Sequence, residues 1–156
     1  MSEGSPFADL LTNRHFITSL VGLVSAQILK VFFDYWRTKS WGTAMLTSTG
    51  GMPSSHSSFV VSLMISIGIY EGFGTTVFAI SAALALVVMH DAAGIRRAAG
   101  KQAEAINFLF SKLEAQGIKF DHKLKELLGH RPLEVIAGAI LGVAVALAAY
   151  FFFPTN

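Results

Sequence analysis

From Leu133 to Phe153 the chain runs for 21 residues with a single charged side chain, Glu134, near its start. About 20 apolar residues in a helix cover the ~30 Å hydrocarbon core of a bilayer, so this run is long enough to cross. Inside lipid the backbone polar groups must be satisfied internally, and a run of this kind does so as a helix. Three more apolar runs repeat the signal: Phe16 to Trp36, Pro53 to about Tyr70, and Val77 to Met89. The last of these is short, and reaches further if the helix continues through Ala92 and Ala93. Hydrophobic residues make up 53% and charged residues 14% of the chain, against roughly 25% charged in an ordinary soluble domain. The pattern predicts an all-α polytopic membrane helical bundle of about four transmembrane helices, with a cytoplasmic amphipathic helical segment over residues 90–132. Residues 1–156 form a single domain, opened by a polar lead-in over residues 1–15. A soluble globular enzyme is excluded.

Charge narrows the partners. A net charge of +2, with Lys and Arg scattered, gives no footprint for nucleic acid. With no cysteine, disulfides and thiolate metal sites are ruled out. No cleavable signal peptide is expected, because the first apolar run is long enough to span and lacks a small-residue cleavage site. Gln27, Lys30 and Asp34 stand three and four residues apart, on one face of the first span. Polar groups at membrane depth face a protein interior or a wet cavity and often mark function, although a lysine can also snorkel to the surface. In the last span Gly138 and Gly142, with Ala139, Ala144 and Ala146, form the small-residue surface that lets membrane helices pack closely. Between the third and fourth spans, Ile106, Leu109, Phe110 and Leu113 recur at helical spacing up to a break at Gly117. Asp121 then caps a second short helix ending near Gly129. This pair either is a solvated hairpin or lies on the membrane surface.

Four spans bring the end of the first, the start of the second, the end of the third and the start of the fourth to one face. Ten of the 12 Lys and Arg residues fall in the two loops on that side. By the positive-inside rule that face is cytoplasmic.

Two histidine segments open on it. In Thr49-Gly50-Gly51-Met52-Pro53-Ser54-Ser55-His56-Ser57-Ser58, the glycines allow close backbone approach to a ligand. Pro53 suits a first helical turn and Ser54 or Ser55 an N-cap. The amides of that helix start favour an anion such as phosphate, and His56 can exchange a proton near neutral pH. A helix cap with an incidental histidine is the plainer alternative. In Gly129-His130-Arg131-Pro132-Leu133-Glu134, Pro132 suits the first turn and Glu134 can reach back to the imidazole. A carboxylate there fixes the tautomer and makes the other ring nitrogen a better nucleophile. Alternatively, Glu134 answers only the helix dipole.

Together these segments resemble the type 2 phosphatidic acid phosphatase superfamily, whose members include vanadate-dependent haloperoxidases, and specifically its short, divergent membrane branch. Pro53-Ser54-Ser55-His56 is similar to the family's P-S-G-H motif, with Ser55 in place of glycine. His130 to Glu134 looks like H-x3-D, with Glu for Asp, and Val135 to Gly142 fits the usual continuation. Lys30 and Arg37 match K-x6-R, with Thr38 where the family has proline. Where the third motif supplies arginine this chain has Leu124. The block His90-Asp91-Ala92-Ala93-Gly94-Ile95-Arg96-Arg97, with Lys101 beyond it, looks like a hallmark of the divergent branch that replaces that arginine.

The resemblance implies a phosphatase with His130 as nucleophile, Glu134 orienting it, and His56 protonating the leaving alkoxide and then activating water. It implies phosphate binding by Arg97 and Lys101 first, with Arg96, Lys30, Arg37, Ser54 and Ser55, and with Asp91 positioning an arginine. No cofactor or metal is expected. A metal held by His56, His90, Asp91, His130 and Glu134 is the rival arrangement. A cytoplasmic site in a bacterial plasma membrane suits a phospholipid made on the inner leaflet, and phosphatidylglycerophosphate is the expected substrate. An isoprenoid (undecaprenyl) diphosphate and a non-enzymatic lipid-binding or transport module are the alternatives. Four spans make a thin bundle, compatible with a homodimer.

Overall fold

A computed structural model of the chain describes residues 5–39, 51–118, 120, 124 and 132–152. Six helices account for nearly all of these: α1 (Pro6–Thr12), α2 (Arg14–Thr38), α3 (Ser55–Glu71), α4 (Thr76–Ala93), α5 (Ile95–Glu114) and α6 (Pro132–Phe152). Among the described residues there is no strand. Most helix starts follow from the sequence. Asn13 caps α2 by accepting from the amides of His15 and Phe16. Thr75 caps α4 through the amide of Phe78, after the turn at Gly72–Gly74. Pro132 opens α6 as expected, and α4 runs on through Ala92 and Ala93. Pro53 differs from expectation. The cap is Ser54, so Pro53 lies one position outside the helix, after a cis Met52–Pro53 bond.

α3 is the centre of the bundle and packs against α2, α4 and α6. Small residues let it do so. Ser54, Ser57, Ser58, Ser62 and Ser66 are all fully or almost fully buried. On α2, a Cβ added to Gly22 would come within 3.1 Å of the Ser58 carbonyl and closer still to the Ser62 hydroxyl. The Ser58 hydroxyl donates to the Gly22 carbonyl at 2.8 Å. On α6, Gly138 faces the Ser54 carbonyl, and a Cβ at Gly142 would lie 2.7 Å from the Ser58 carbonyl. The sequence of these contacts shows α6 running parallel to α3 and α2 antiparallel to it. Backbones meet this closely only where side chains are small.

Among the described residues, three stretches are long and apolar enough to cross a membrane, within residues 14–36, 76–114 and 132–152. About four were expected. The difference is α3, which has only 17 residues, or roughly 25 Å at 1.5 Å per residue. Because α3 is enclosed by the other three, it shares their membrane depth whatever its own length. Outward-facing Ile28, Phe32, Ile80, Leu86, Ile136 and Ile140 are all exposed, as lipid-facing residues must be.

At the end where α2 begins and α3 and α6 finish, polar and aromatic groups tie the helices together. His15 bonds the Ser66 hydroxyl through Nδ1 at 2.9 Å and Glu71 through Nε2 at 3.3 Å. Tyr70 packs edge-on to His15 and Tyr150, and Arg14 lies 4.7 Å above its ring.

After α4 the chain turns at Gly94 into α5, which is strongly amphipathic. The segment beyond α5 folds back on it: Asn107 donates to the Leu124 carbonyl at 2.7 Å and accepts from the Leu124 amide at 2.8 Å. Phe110 stacks on Phe120. The short helix expected from Asp121 to Gly129 lies outside the described residues, apart from Leu124.

Candidate active site

The end of the bundle opposite His15 holds a cavity of about 700 Å³ between the C-terminal part of α2 and the start of α6. Lys30, Asp34 and Lys39 line it from α2 and its cap, Gly51 and Met52 from the approach to α3, and Glu134 from α6. Phe33 and Trp36 complete its wall. Lys30 and Asp34 are one turn apart on α2, so the helix presents both to the same side. Lys30 is only 2% exposed, and the Glu134 carboxylate acts on its ammonium electrostatically.

A backbone bond holds the two motif segments in register. The Ser54 N–H donates to the Glu134 carbonyl at 2.9 Å, so the P-S-S-H turn and the first turn of α6 are stitched to each other. The Ser54 hydroxyl accepts from the amide and the hydroxyl of Ser57. The Ser54 carbonyl accepts from the Ser58 amide at 3.1 Å, so its amide, carbonyl and hydroxyl all take part in building the junction. Ser55 is buried at the first position of α3, and His56 follows with an exposed side chain.

The remaining candidates divide. His130 lies outside the described residues, as do the side chains of Arg37, Arg96 and Arg97, whose backbones sit in α2 and α5. His90 and Asp91 border a separate hollow with Leu86 and Val87, and Lys101 is exposed on α5. Among the described residues, no group of three His, Asp or Glu side chains converges into a metal-holding cluster. Sequence reading passed over Lys39 as a lining residue. Lys39 closes α2 in the left-handed region, with φ 54° and ψ 21°, and its amide donates to the Tyr35 carbonyl at 2.8 Å. That cap is common at helix ends. The only signal was its position just after the K-x6-R pair.

Chemically, the described lining offers two ammonium groups against two carboxylates in a partly apolar hollow. That balance can orient a phosphate but leaves a dianion needing further positive charge. Arg37, Arg96, Arg97 and Lys101 are the residues from which the sequence reading expects it.

The sequence profile of the divergent PAP2 family matches residues 11–145. An uncharacterized membrane protein, YuiD, of Bacillus subtilis (strain 168) is 38% identical over 156 residues, which cover 93% of this chain and 99% of YuiD. No solved structure matches the chain. With both histidine segments and the span before them inside the matched region, the chain belongs to the divergent PAP2 family of membrane proteins.

Proposed function

We propose that this protein is a lipid phosphate phosphatase of the bacterial plasma membrane, hydrolysing a phosphomonoester at the cytoplasmic face. The observation that carries the reading is the hydrogen bond from Ser54 to Glu134. It joins the two histidine-bearing segments of the family pattern beside a cavity that contains a buried lysine.

In the first half-reaction an imidazole nitrogen of His130 attacks phosphorus, the bond from phosphorus to the glycerol oxygen breaks, and His56 gives its proton to the leaving alkoxide. Glu134 orients His130 and offsets the positive charge it gains. In the second half-reaction His56 takes a proton from water as that water attacks the phosphohistidine, releasing inorganic phosphate. Arg97 and Lys101, with Arg96, Lys30, Arg37 and Lys39, stabilise charge on the equatorial oxygens, the main source of rate in phosphoryl transfer. Phosphatidylglycerophosphate fits as substrate, since its terminal phosphomonoester sits on glycerol and its acyl chains stay in the inner leaflet. Phosphatidic acid is the poorer substrate.

Phosphate release by the purified protein from a panel of lipid phosphates, with and without chelator, tests this. His130→Ala and His56→Ala are each expected to abolish turnover while leaving helix content intact. With a good leaving group, His56→Ala still forms a phosphoenzyme and His130→Ala does not. Near wild-type turnover in either variant defeats the two-histidine mechanism, and metal-reversible loss with chelator favours the metal alternative.

A further inference from the structure

A second cavity, of about 890 Å³, lies along the same α2/α6 seam at the opposite end of the bundle. Ile17, Val21, Val145 and Ala148 supply apolar walls, Ser25 is its deepest member on α2, and Arg14 and Tyr70 stand at its mouth. From Arg14 to Ser25 the helix rises roughly 16 Å, which is about half of the ~30 Å hydrocarbon core. The groove therefore has the depth of one leaflet. Ile17 and Val21 are exposed at its edge, so it opens sideways to lipid. Arg14 is the one charged group among its described lining residues. The Tyr70 ring, 4.7 Å from the guanidinium, fixes that cation at the mouth by a cation–π contact.

We infer that this groove binds one anionic phospholipid of the leaflet opposite the Lys30–Glu134 cavity, its headgroup phosphate on Arg14 and an acyl chain along Ile17, Val21 and Ala148. An apolar channel one leaflet deep matches an acyl chain, and a guanidinium pairs with phosphate in a forked geometry. The inference rests on the membrane bundle and stands independently of any catalytic activity at the other end.

The test uses the full-length protein reconstituted in vesicles of phosphatidylcholine and phosphatidylglycerol, with retained lipid counted by native mass spectrometry after gentle detergent extraction. The wild type is expected to retain phosphatidylglycerol about fivefold over phosphatidylcholine, the effect of one arginine on an anionic headgroup. Arg14→Gln should lose that preference while still retaining lipid, and Ala148→Trp should lose the retained lipid. Lys112→Gln, which removes an exposed cation that lines neither cavity, should keep the preference. Equal retention of the two lipids by the wild type overturns the inference, as does an unchanged preference in Arg14→Gln. Loss of preference in Lys112→Gln as well would show an effect of overall charge and also overturn it. Efficient disulfide formation between two copies of Ser25→Cys in the vesicles would show a second chain in the groove and likewise overturn it. If Ala148→Trp does not fold, Arg14→Gln decides alone.

Discussion

Burying an ammonium costs several kcal/mol unless opposite charge or a ligand offsets it, so the 2% exposure of Lys30 is the most telling value for any single residue. Its position was legible: Gln27, Lys30 and Asp34 share a helical face, and Lys30 and Asp34 do line one cavity. Lys39 was not legible, because nothing in its neighbours announces a left-handed cap. Lys30→Met should lower phosphate release at least about tenfold, since one charge-stabilising donor is worth a few kcal/mol in such a site. Its melting temperature should fall, because removing one partner of a buried charge pair leaves the Glu134 carboxylate without the ammonium that offsets it. Release is therefore compared at a temperature where both proteins are folded. Unchanged release would remove Lys30 from the site. Lys39→Gly asks a related question. Glycine suits the left-handed cap better, so the variant should be no less stable, yet release should fall if the ammonium contributes to the cavity.

Among the elements, α3 and α6 decide how the site is assembled, since their parallel packing sets Ser54 against Glu134. A glycine-to-alanine change inside a helix ordinarily gains up to about 1 kcal/mol. At Gly142 the added Cβ meets the Ser58 carbonyl at 2.7 Å and the Ser62 amide nitrogen at 3.0 Å. Both are backbone atoms, so the helices must separate. Gly142→Ala should therefore destabilise the bundle by about 1–3 kcal/mol, read as a lower thermal midpoint in detergent. An equal or higher midpoint would show that the two backbones can part at no cost. The small-residue surface of α6 could be read from its glycines and alanines. The matching surface of α3 could not. Sequence reading singled out only Ser54 and Ser55, as phosphate ligands, and nothing announced that Ser58 and Ser62 further along pack against Gly22 and Gly142. A helix enclosed on three sides carries no one-sided hydrophobic pattern, so its central place was invisible to periodicity. Its shortness has the same origin, because the flanking helices, not its own length, carry it through the bilayer.

Across the whole molecule, the α2/α6 seam opens at both ends, and the two openings differ in chemistry. One is edged by Lys30, Lys39, Asp34 and Glu134, the other by Arg14, Tyr70 and apolar walls. Which leaflet each serves depends on orientation, and orientation selects the substrate. The turn between α3 and α4 lies at the Arg14 end, whereas α5 begins on the Lys30 side, where α4 ends. Ten of the 12 basic residues fall in the loops of the Lys30 side, so that side should be cytoplasmic. The protein has no cysteine of its own, so single cysteines report without background. Gly74 is exposed in the α3–α4 turn, and a Cβ there meets nothing within 4 Å, so Gly74→Cys should be tolerated. Gln116, just beyond α5, is also exposed. A membrane-impermeant thiol reagent added to intact cells should label Gly74→Cys and spare Gln116→Cys, with both labelled once the cells are opened. The reverse pattern would put the Lys30 cavity on the outer face. An isoprenoid diphosphate, which presents its phosphates there after wall synthesis, would then replace an inner-leaflet phosphomonoester as the substrate to test first.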